Sequence, residues 1–255
     1  MEFARSIFSS ISRHLFTSQF EYWPLTISII IPTYQEAEYI SKTIRHLIRH
    51  GGPQVTEILV VDGHSDDFTA NLAEEAGAVV FQSPSRGRAA QMDFGARQAK
   101  GDLFYFVHAD TLPPISFARD IHNLIADGFD MGNFRYQFED GPWMLKLNSY
   151  FTQFSWFFTQ GGDRTFFITR KAYEQVGGFD PEHLIMEEYE FLRRAIAKGL
   201  RYKMVAKSGL VSSRKYRHNS WLKVQLVNLL VYFFWARGWA SGVTLKNWYQ
   251  RWLRP

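Results

Sequence analysis

The sequence predicts an α/β fold in which a mainly parallel sheet carries helices on both faces. Two observations support this prediction. Over roughly 110 residues, short apolar runs alternate with segments of helical spacing, which is typical of strand–helix–strand units. The apolar runs are continuous and rich in β-branched residues, as strands buried on both faces require. Cysteine is absent from the 255 residues, which excludes disulfide frameworks and thiolate-based metal sites.

The first half of the chain shows this alternation element by element. Residues 27–31 are apolar apart from Ser28 and precede Pro32, which predicts a buried strand. Residues 36–49 have apolar side chains at helical spacing and precede a Gly-Gly-Pro sequence, which predicts a helix that ends there. By the same reasoning, further strands are predicted at 57–61, 78–82 and 102–107, and further helices at 69–76 and 88–100.

The second half of the chain is less regular, and it predicts a strand at 165–169 and a helix that begins with two acidic residues at 187 and 188. No internal repeat or linker interrupts it. We therefore expect an N-terminal amphipathic helix or extension over 1–25, one α/β domain over 26–213, and a basic, Trp-rich helical segment over 214–255.

Charge is distributed unevenly along the chain. Residues 191–255 contain 14 Lys and Arg and no Asp or Glu, although the chain has 25 acidic residues. This imbalance indicates an anionic partner, which could be a phosphate-bearing substrate, a membrane surface or nucleic acid. Five of the eight Trp lie in the same segment, which favours a membrane surface over nucleic acid. We expect residues 214–255 either to contact lipid headgroups or to pack on the rest of the chain.

No segment has the roughly 20 consecutive apolar residues of a membrane span. The longest apolar run, 224–235, is interrupted by Gln225 and Asn228. Arg5 and Arg13 interrupt the apolar part of the N-terminus, which argues against a signal peptide. We therefore expect a cytoplasmic protein whose membrane contact, where it has one, is peripheral on the cytoplasmic face.

Polar residues that follow the strands are the candidates for chemistry, because ligands bind at the carboxyl ends of parallel strands. Residues 32–36 contain no glycine, which argues against a dinucleotide site, and the phosphate-binding P-loop pattern is also absent. A divalent cation on a carboxylate is then the simplest way to hold phosphates. Asp110 is the candidate ligand for Mn²⁺ or Mg²⁺, and His108 either adds a ligand or orients Asp110. The simpler alternative is that Asp110 caps the next turn.

Five short motifs together resemble family 2 glycosyltransferases of the GT-A fold, over residues 27–198, and in particular a short bacterial subgroup that reads F-L-H-A-D-T. They are P-T-Y-Q-E-A at 32–37, V-V-D-G-H-S-D-D at 60–67, F-V-H-A-D-T at 106–111, G-G-D at 161–163 and M-E-E-Y-E-F at 186–191. The resemblance implies transfer of a sugar from a nucleotide-diphosphate donor to an acceptor hydroxyl, with inversion and with a divalent metal.

The resemblance also implies roles for individual residues. Asp110 matches the last Asp of the family's D-x-D metal motif, and His108 replaces the first. Glu187 and Glu188 match an acidic pair whose second member is the usual catalytic base, so Glu188 is the first candidate and Glu187 the second. The implied nucleotide site consists of Pro32, Thr33, Tyr34, Glu36, Asp62, Arg86, Arg88 and Gln91. The implied substrate loop consists of Gly161, Gly162, Asp163 and Arg164.

Several simpler alternatives remain open at this point. Glu187 and Glu188 could be solvated acids that complement a helix dipole. Arg214, Lys215 and Arg217 could neutralise a departing diphosphate or face lipid headgroups. A nucleotidyltransferase on a similar sheet is the alternative enzyme, although such enzymes carry a glycine-rich basic loop after the first strand. A membrane-binding protein without catalysis is the alternative of a different class.

Overall fold

The computed structural model describes residues 25–140, 143–145 and 164–253. The predicted N-terminal helix therefore lies outside the described residues. The strands are β1 Ile27–Thr33, β2 Val55–Asp62, β3 Val79–Gln82, β4 Leu103–Phe106, β5 Thr111–Leu112, β6 Met131–Phe138, β7 Phe166–Thr169 and β8 Tyr202–Val211. They form one sheet in the order β3-β2-β1-β4-β7-β6-β8-β5. The first four strands in this order are parallel to one another, and β6 is parallel to β8. Strand β7 runs antiparallel to both of its neighbours, and β5 runs antiparallel to β8. The sheet is therefore mainly parallel, as predicted.

Helices cover both faces of this sheet. They are α1 Ile40–Gly51, α2 Thr69–Glu75, α3 Arg88–Gln98, α4 Phe117–Ala126, α5 Arg170–Val176, α6 Glu187–Ala197, α7 Trp221–Ala236 and α8 Gly242–Trp252. Successive side chains of a strand point to opposite faces. Ile29 and Ile31 therefore join a core with α1, α2 and α4, whereas Ile30 joins a second core with α3, α5 and α6.

Strand β1 lies at the centre of both cores. Its four isoleucines between 27 and 31 have no exposed surface, and each buried side chain of this size contributes about 1.5–3 kcal/mol. This burial fixes the end of β1 at Thr33. The polar residues that follow each parallel strand are consequently brought together at one edge of the sheet.

Helices α7 and α8 pack against each other around a third apolar core, formed by Val224, Val227, Val231, Leu245 and Leu253. Ile185 and Met186, in the segment before α6, are partly buried against the same core. Part of the basic C-terminal segment thus packs on the rest of the chain. Among the described parts of the chain, no helix is both long enough and apolar enough to cross a membrane.

Candidate functional site

A cleft of about 630 Å³ lies at the carboxyl ends of β1, β2 and β4. It brings together residues from segments that are far apart in the sequence. Nine of the residues that the sequence places in the site line it: Pro32, Thr33, Tyr34, Glu36, Arg86, Arg88, Gln91, His108 and Asp110. The rest of its wall is formed by Gly63, Gly87, Ala109, Phe138, Val211, Ser212, Arg214, Lys215, Tyr216, Lys246, Tyr249 and Gln250.

The ends of β1 and β2 are tied together under the floor of the cleft. The Gln91 amide nitrogen, on α3, donates to the carbonyl oxygens of Thr33 and Val61, at 2.7 and 2.8 Å. Asp62 is fully buried, and its carboxylate accepts hydrogen bonds from Ser65 and from the Thr33 hydroxyl. Asp62 is therefore placed beneath the cleft, behind the residues that line it.

Gly63 allows close packing at this floor. Its amide donates to the carbonyl of Thr33 at 2.8 Å. A Cβ at this position would lie 3.2 Å from that same carbonyl oxygen and 3.2 Å from the Gln91 amide nitrogen. Glycine thus allows the two strand ends and α3 to approach closely.

Tyr34 and Arg86 form an exposed pair at the rim of the cleft. The Arg86 guanidinium lies 5.0 Å from the centre of the Tyr34 ring and donates to the carbonyl of His64 at 3.2 Å. Tyr34 keeps 44% of its surface exposed. An exposed aromatic ring beside a guanidinium is a surface on which a planar base can stack.

Arg214 joins two carboxylates of the cleft. It donates two hydrogen bonds of 2.6 Å to Glu36, and its Nε lies 3.3 Å from Oδ2 of Asp110. Burial opposes the charged guanidinium, but the bonds to Glu36 and the charge of Asp110 raise the pKa of Arg214 above its ordinary value. A cation therefore faces Asp110 already. Arg217 lies outside the lining and forms an exposed pair with Glu38.

The two predicted catalytic carboxylates begin α6. Met186, just before them, has a left-handed backbone (φ 62°), which is unfavourable for a side chain of its size. Arg88 lies 3.3 Å from a Glu187 oxygen and 3.7 Å from a Glu188 oxygen. The Glu187 side chain is 8% exposed and that of Glu188 is 13% exposed. Both are therefore held at Arg88, rather than being the solvated acids of the simpler alternative.

His108 lies between the Glu188 carboxylate and the cleft. Its Nε2 lies 3.6 Å from Oε1 of Glu188 and 3.2 Å from the carbonyl oxygen of Arg164. His108 and Asp110 both line the cleft. Glu187 and Glu188 are not among the residues that line the cleft, and Glu188 reaches its wall through this approach to His108.

The predicted substrate loop is only partly described. Gly161, Gly162 and Asp163 lie outside the described residues. The side chain of Arg164 is 98% buried behind the cleft, where its guanidinium approaches Asn133 and Met204, and this burial lowers its pKa. Arg164 contacts the cleft through its backbone carbonyl oxygen, which lies 3.2 Å from His108 Nε2, and not through its guanidinium.

Sequence reasoning missed the lining residues Phe138, Val211, Ser212 and Tyr216, and it also missed three lining residues on α8: Lys246, Tyr249 and Gln250. They are spaced i, i+3 and i+4, so they share one face of the helix. This spacing is visible in the sequence, but the sequence does not show that α8 folds back onto the cleft.

The donor set of the cleft suits a metal that is shared with a substrate. Within the described residues, no three His, Asp or Glu are grouped so as to hold a metal ion by themselves. Mg²⁺ commonly binds one or two carboxylates and completes its shell with phosphate oxygens and water. Asp110, beside His108, offers such a carboxylate at the wall of the cleft.

The fold is that of GT-A enzymes, as predicted. The chain superposes on the mannosyltransferase PcManGT from Pyrobaculum calidifontis, solved with GDP-Man and Mn²⁺, with a TM-score of 0.64 and 17% identity over 92% of this chain and 72% of that one. It superposes on residues 1–349 of S. aureus TarS, solved with UDP-GlcNAc, with a TM-score of 0.62 and 21% identity over 74% of this chain and 59% of that one.

The family follows from the sequence match. Residues 28–198 match the family described as Glycosyl transferase family 2, and the chain belongs to this family. The glycosyltransferase AglE of Haloferax volcanii is 26% identical over 174 residues, which are 62% of this chain and 57% of that protein. The chain thus spans little more than half the length of that relative.

Proposed function

We propose that this protein transfers a sugar from a nucleotide-diphosphate donor to an acceptor hydroxyl, with inversion at the anomeric carbon. Family membership and the GT-A fold support the reaction class. The observation that carries the proposal is the 3.6 Å approach of Glu188 to His108, because it joins the candidate base to the cleft that contains Asp110.

Glu188 is the proposed catalytic base. It accepts the proton of the acceptor hydroxyl as that oxygen attacks the anomeric carbon, while the bond to the diphosphate breaks on the opposite side. A single displacement of this kind inverts the configuration. Arg88 contacts both Glu187 and Glu188 and so orients the pair. Glu187, the more buried of the two, is the second candidate for the base.

The nucleotide site is proposed at the rim and floor of the same cleft. Tyr34 and Arg86 offer the stacking surface, and Pro32, Thr33 and Glu36 form the adjoining wall. Gln91 supports this wall from below through its two hydrogen bonds. A contact of Asp62 with the base or ribose stays a prediction, as does the role of the substrate loop, residues 161–164.

A divalent metal, Mn²⁺ or Mg²⁺, is proposed at Asp110. The PcManGT structure contains Mn²⁺. Asp110 and His108 would hold the metal together with phosphate oxygens of the donor. When bound, it would stabilise the negative charge on the departing diphosphate. Arg214 and Lys215 line the same cleft, and their positive charges act on the leaving group in the same direction.

A membrane contact is proposed for the exposed side of α7. Leu222, Leu226, Leu229 and Phe233 repeat at helical spacing and are 39–69% exposed. An exposed apolar stripe of this kind marks an interaction surface. A lipid surface is the proposed partner because the chain beyond residue 190 is rich in Lys and Arg and contains no acidic residue.

Sedimentation with anionic vesicles tests this contact. The double variant Leu226→Ser/Leu229→Ser should lose binding to phosphatidylglycerol vesicles. Ile48→Ser, which changes an isolated exposed side chain on α1, should bind like the wild type. Equal binding by the double variant would rule the contact out.

A donor panel tests the catalytic proposal. UDP-, GDP- and ADP-sugars are offered to the wild type with Mn²⁺, and release of the nucleoside diphosphate is measured. Asp110→Ala and Glu188→Gln should both lose activity, and wild-type rates in both variants would remove the assigned roles. Release of pyrophosphate from nucleoside triphosphates would instead indicate the alternative, a nucleotidyltransferase.

A further inference from the structure

We propose that Lys246, on α8, binds a phosphoryl group in the cleft. The proposal rests on the proposed function for the source of that group, which is either the diphosphate of the donor or a phosphate carried by the acceptor. No motif of the family resemblance includes Lys246 or any other residue of α8. The C-terminal helix is therefore a binding element in addition to the predicted loops.

The position of Lys246 is fixed by the packing of α8. Lys246, Tyr249 and Gln250 form the face of the helix that lines the cleft. The neighbouring Leu245 is fully buried in the core between α7 and α8. The helix is thus anchored through its apolar side and presents its polar side to the ligand.

The ammonium of Lys246 has no acidic partner among the described residues. Arg88 and Arg214 contact Glu187 and Glu36, whereas Lys246 makes no ion pair or hydrogen bond with any described residue. Lys246 is nevertheless half-buried in the wall of the cleft. Partial burial of a cation is unfavourable unless an opposite charge compensates it. An anionic ligand would supply that charge.

The charge of the cleft specifies the kind of anion. Its lining contains five Arg and Lys, against two carboxylates. Both carboxylates face Arg214, and Arg88 faces Glu187 and Glu188 outside the lining. The positive charge of the remaining wall comes from Arg86, Lys215 and Lys246. The Lys215 ammonium lies 5.6 Å from the ring centre of Tyr249, so the β8–α7 connection and α8 meet at this wall. Lysine binds phosphate as a compact point charge with three donors.

Isothermal titration calorimetry with pyrophosphate tests the proposal. Lys246→Gln should weaken pyrophosphate binding about tenfold, the loss expected for one charged hydrogen bond. Lys246→Arg should retain most of the affinity. Lys223→Gln is the matched control, because Lys223 is an exposed lysine of α7 outside the cleft lining. A thermal melt of each variant checks that it is folded.

Two further titrations distinguish the sources of the phosphate. If Lys246 binds the donor's diphosphate, Lys246→Gln should bind UDP, GDP or ADP more weakly than the wild type does, by the same factor as for pyrophosphate. If Lys246 binds an acceptor phosphate, Lys246→Gln should bind these nucleotides as tightly as the wild type does. Inorganic phosphate added to the nucleotide-saturated proteins should then bind more weakly to Lys246→Gln than to the wild type.

The outcomes also separate this proposal from the proposed function. Pyrophosphate binding by a wild type that binds no nucleotide would contradict the proposed donor, while the comparison with Lys246→Gln would still decide the role of Lys246. Equal affinities of Lys246→Gln and Lys223→Gln for every probe would overturn the inference.

Discussion

Arg214 donates two hydrogen bonds of 2.6 Å to the carboxylate of Glu36, although the two residues are 178 positions apart in the sequence. This bidentate pair joins the chain after β8 to the loop after β1. The Glu36 side chain is 14% exposed, and that of Arg214 is 37% exposed. The pair therefore lies between an exposed surface ion pair and a fully buried one.

Removal of Arg214 should destabilise the fold measurably. Arg214→Met leaves the half-enclosed carboxylates of Glu36 and Asp110 without their cation, so we expect a loss of about 1–2 kcal/mol in the free energy of unfolding. Denaturant unfolding measures it. Adding Glu36→Gln to Arg214→Met should recover part of the loss, because it removes one of the carboxylates left without a cation. The double-mutant cycle formed by these variants measures the coupling energy of the pair.

The exposed pair of Arg217 and Glu38 is the matched control. Their side chains are 58% and 64% exposed and 3.4 Å apart. Arg217→Met should change the free energy of unfolding by less than about 0.5 kcal/mol. Equal losses in both Arg variants would contradict a special role for Arg214.

The hydrogen bonds of Asp102 should make the free energy of unfolding depend on pH. Its carboxylate accepts hydrogen bonds from the amide and the hydroxyl of Thr26, at 2.9 and 2.7 Å, and these bonds lower its pKa. A lowered pKa means that the stabilisation is complete above the unfolded-state value of about 3.9 and is lost as the pH falls through the folded-state value.

Asp102→Asn should therefore be less stable than the wild type at pH 7, by about 1 kcal/mol or less because the group is largely exposed. The difference should stay constant down to about pH 4 and shrink below it. Denaturant unfolding of both proteins between pH 7 and 2.5 measures it. A difference that grows as the pH falls below 4 would contradict the assigned pKa direction.

The parallel half of the fold could be predicted from sequence because its strands are buried on both faces. Runs such as 27–31 and 57–61, which are apolar apart from one residue each and rich in β-branched side chains, are typical of such strands. Strand β8 was missed because most of its residues are not buried, and lysines at 203 and 207 interrupt its apolar pattern. Its pairing with β6 depends on contacts distant in sequence, which local patterns do not encode.

The candidate site shows the same division. Residues that directly follow strands, such as Glu36 and Asp110, were predicted because the topology fixes where strand ends meet. The bidentate bond of Arg214 and the position of Lys246 in the cleft lining were not predicted. Both depend on how the chain after β8 folds back, which is decided by the apolar core between α7 and α8.

Metal binding should require both Asp110 and the nucleotide. Because one carboxylate with a neighbouring histidine is an incomplete ligand set, Mn²⁺ alone should raise the melting temperature only slightly, and Mn²⁺ with UDP or GDP should raise it more. Asp110→Asn should abolish this additional increase. Asp127→Asn, which changes an exposed carboxylate after α4, is the control. If the melting temperature of Asp110→Asn rose as much as that of the wild type with Mn²⁺ and nucleotide, the metal would bind elsewhere.

Glu188 and Glu187 should differ in how much each contributes to kcat. Glu188→Gln removes the proposed proton acceptor but keeps its shape, so kcat should fall at least about 100-fold while KM for the donor changes little. Glu187→Gln should have a smaller effect on kcat, because Glu187 acts by holding Arg88, 3.3 Å away. Steady-state kinetics with the donor identified by the panel separates the two. A larger loss of kcat in Glu187→Gln would exchange the two roles and make the more buried carboxylate the base.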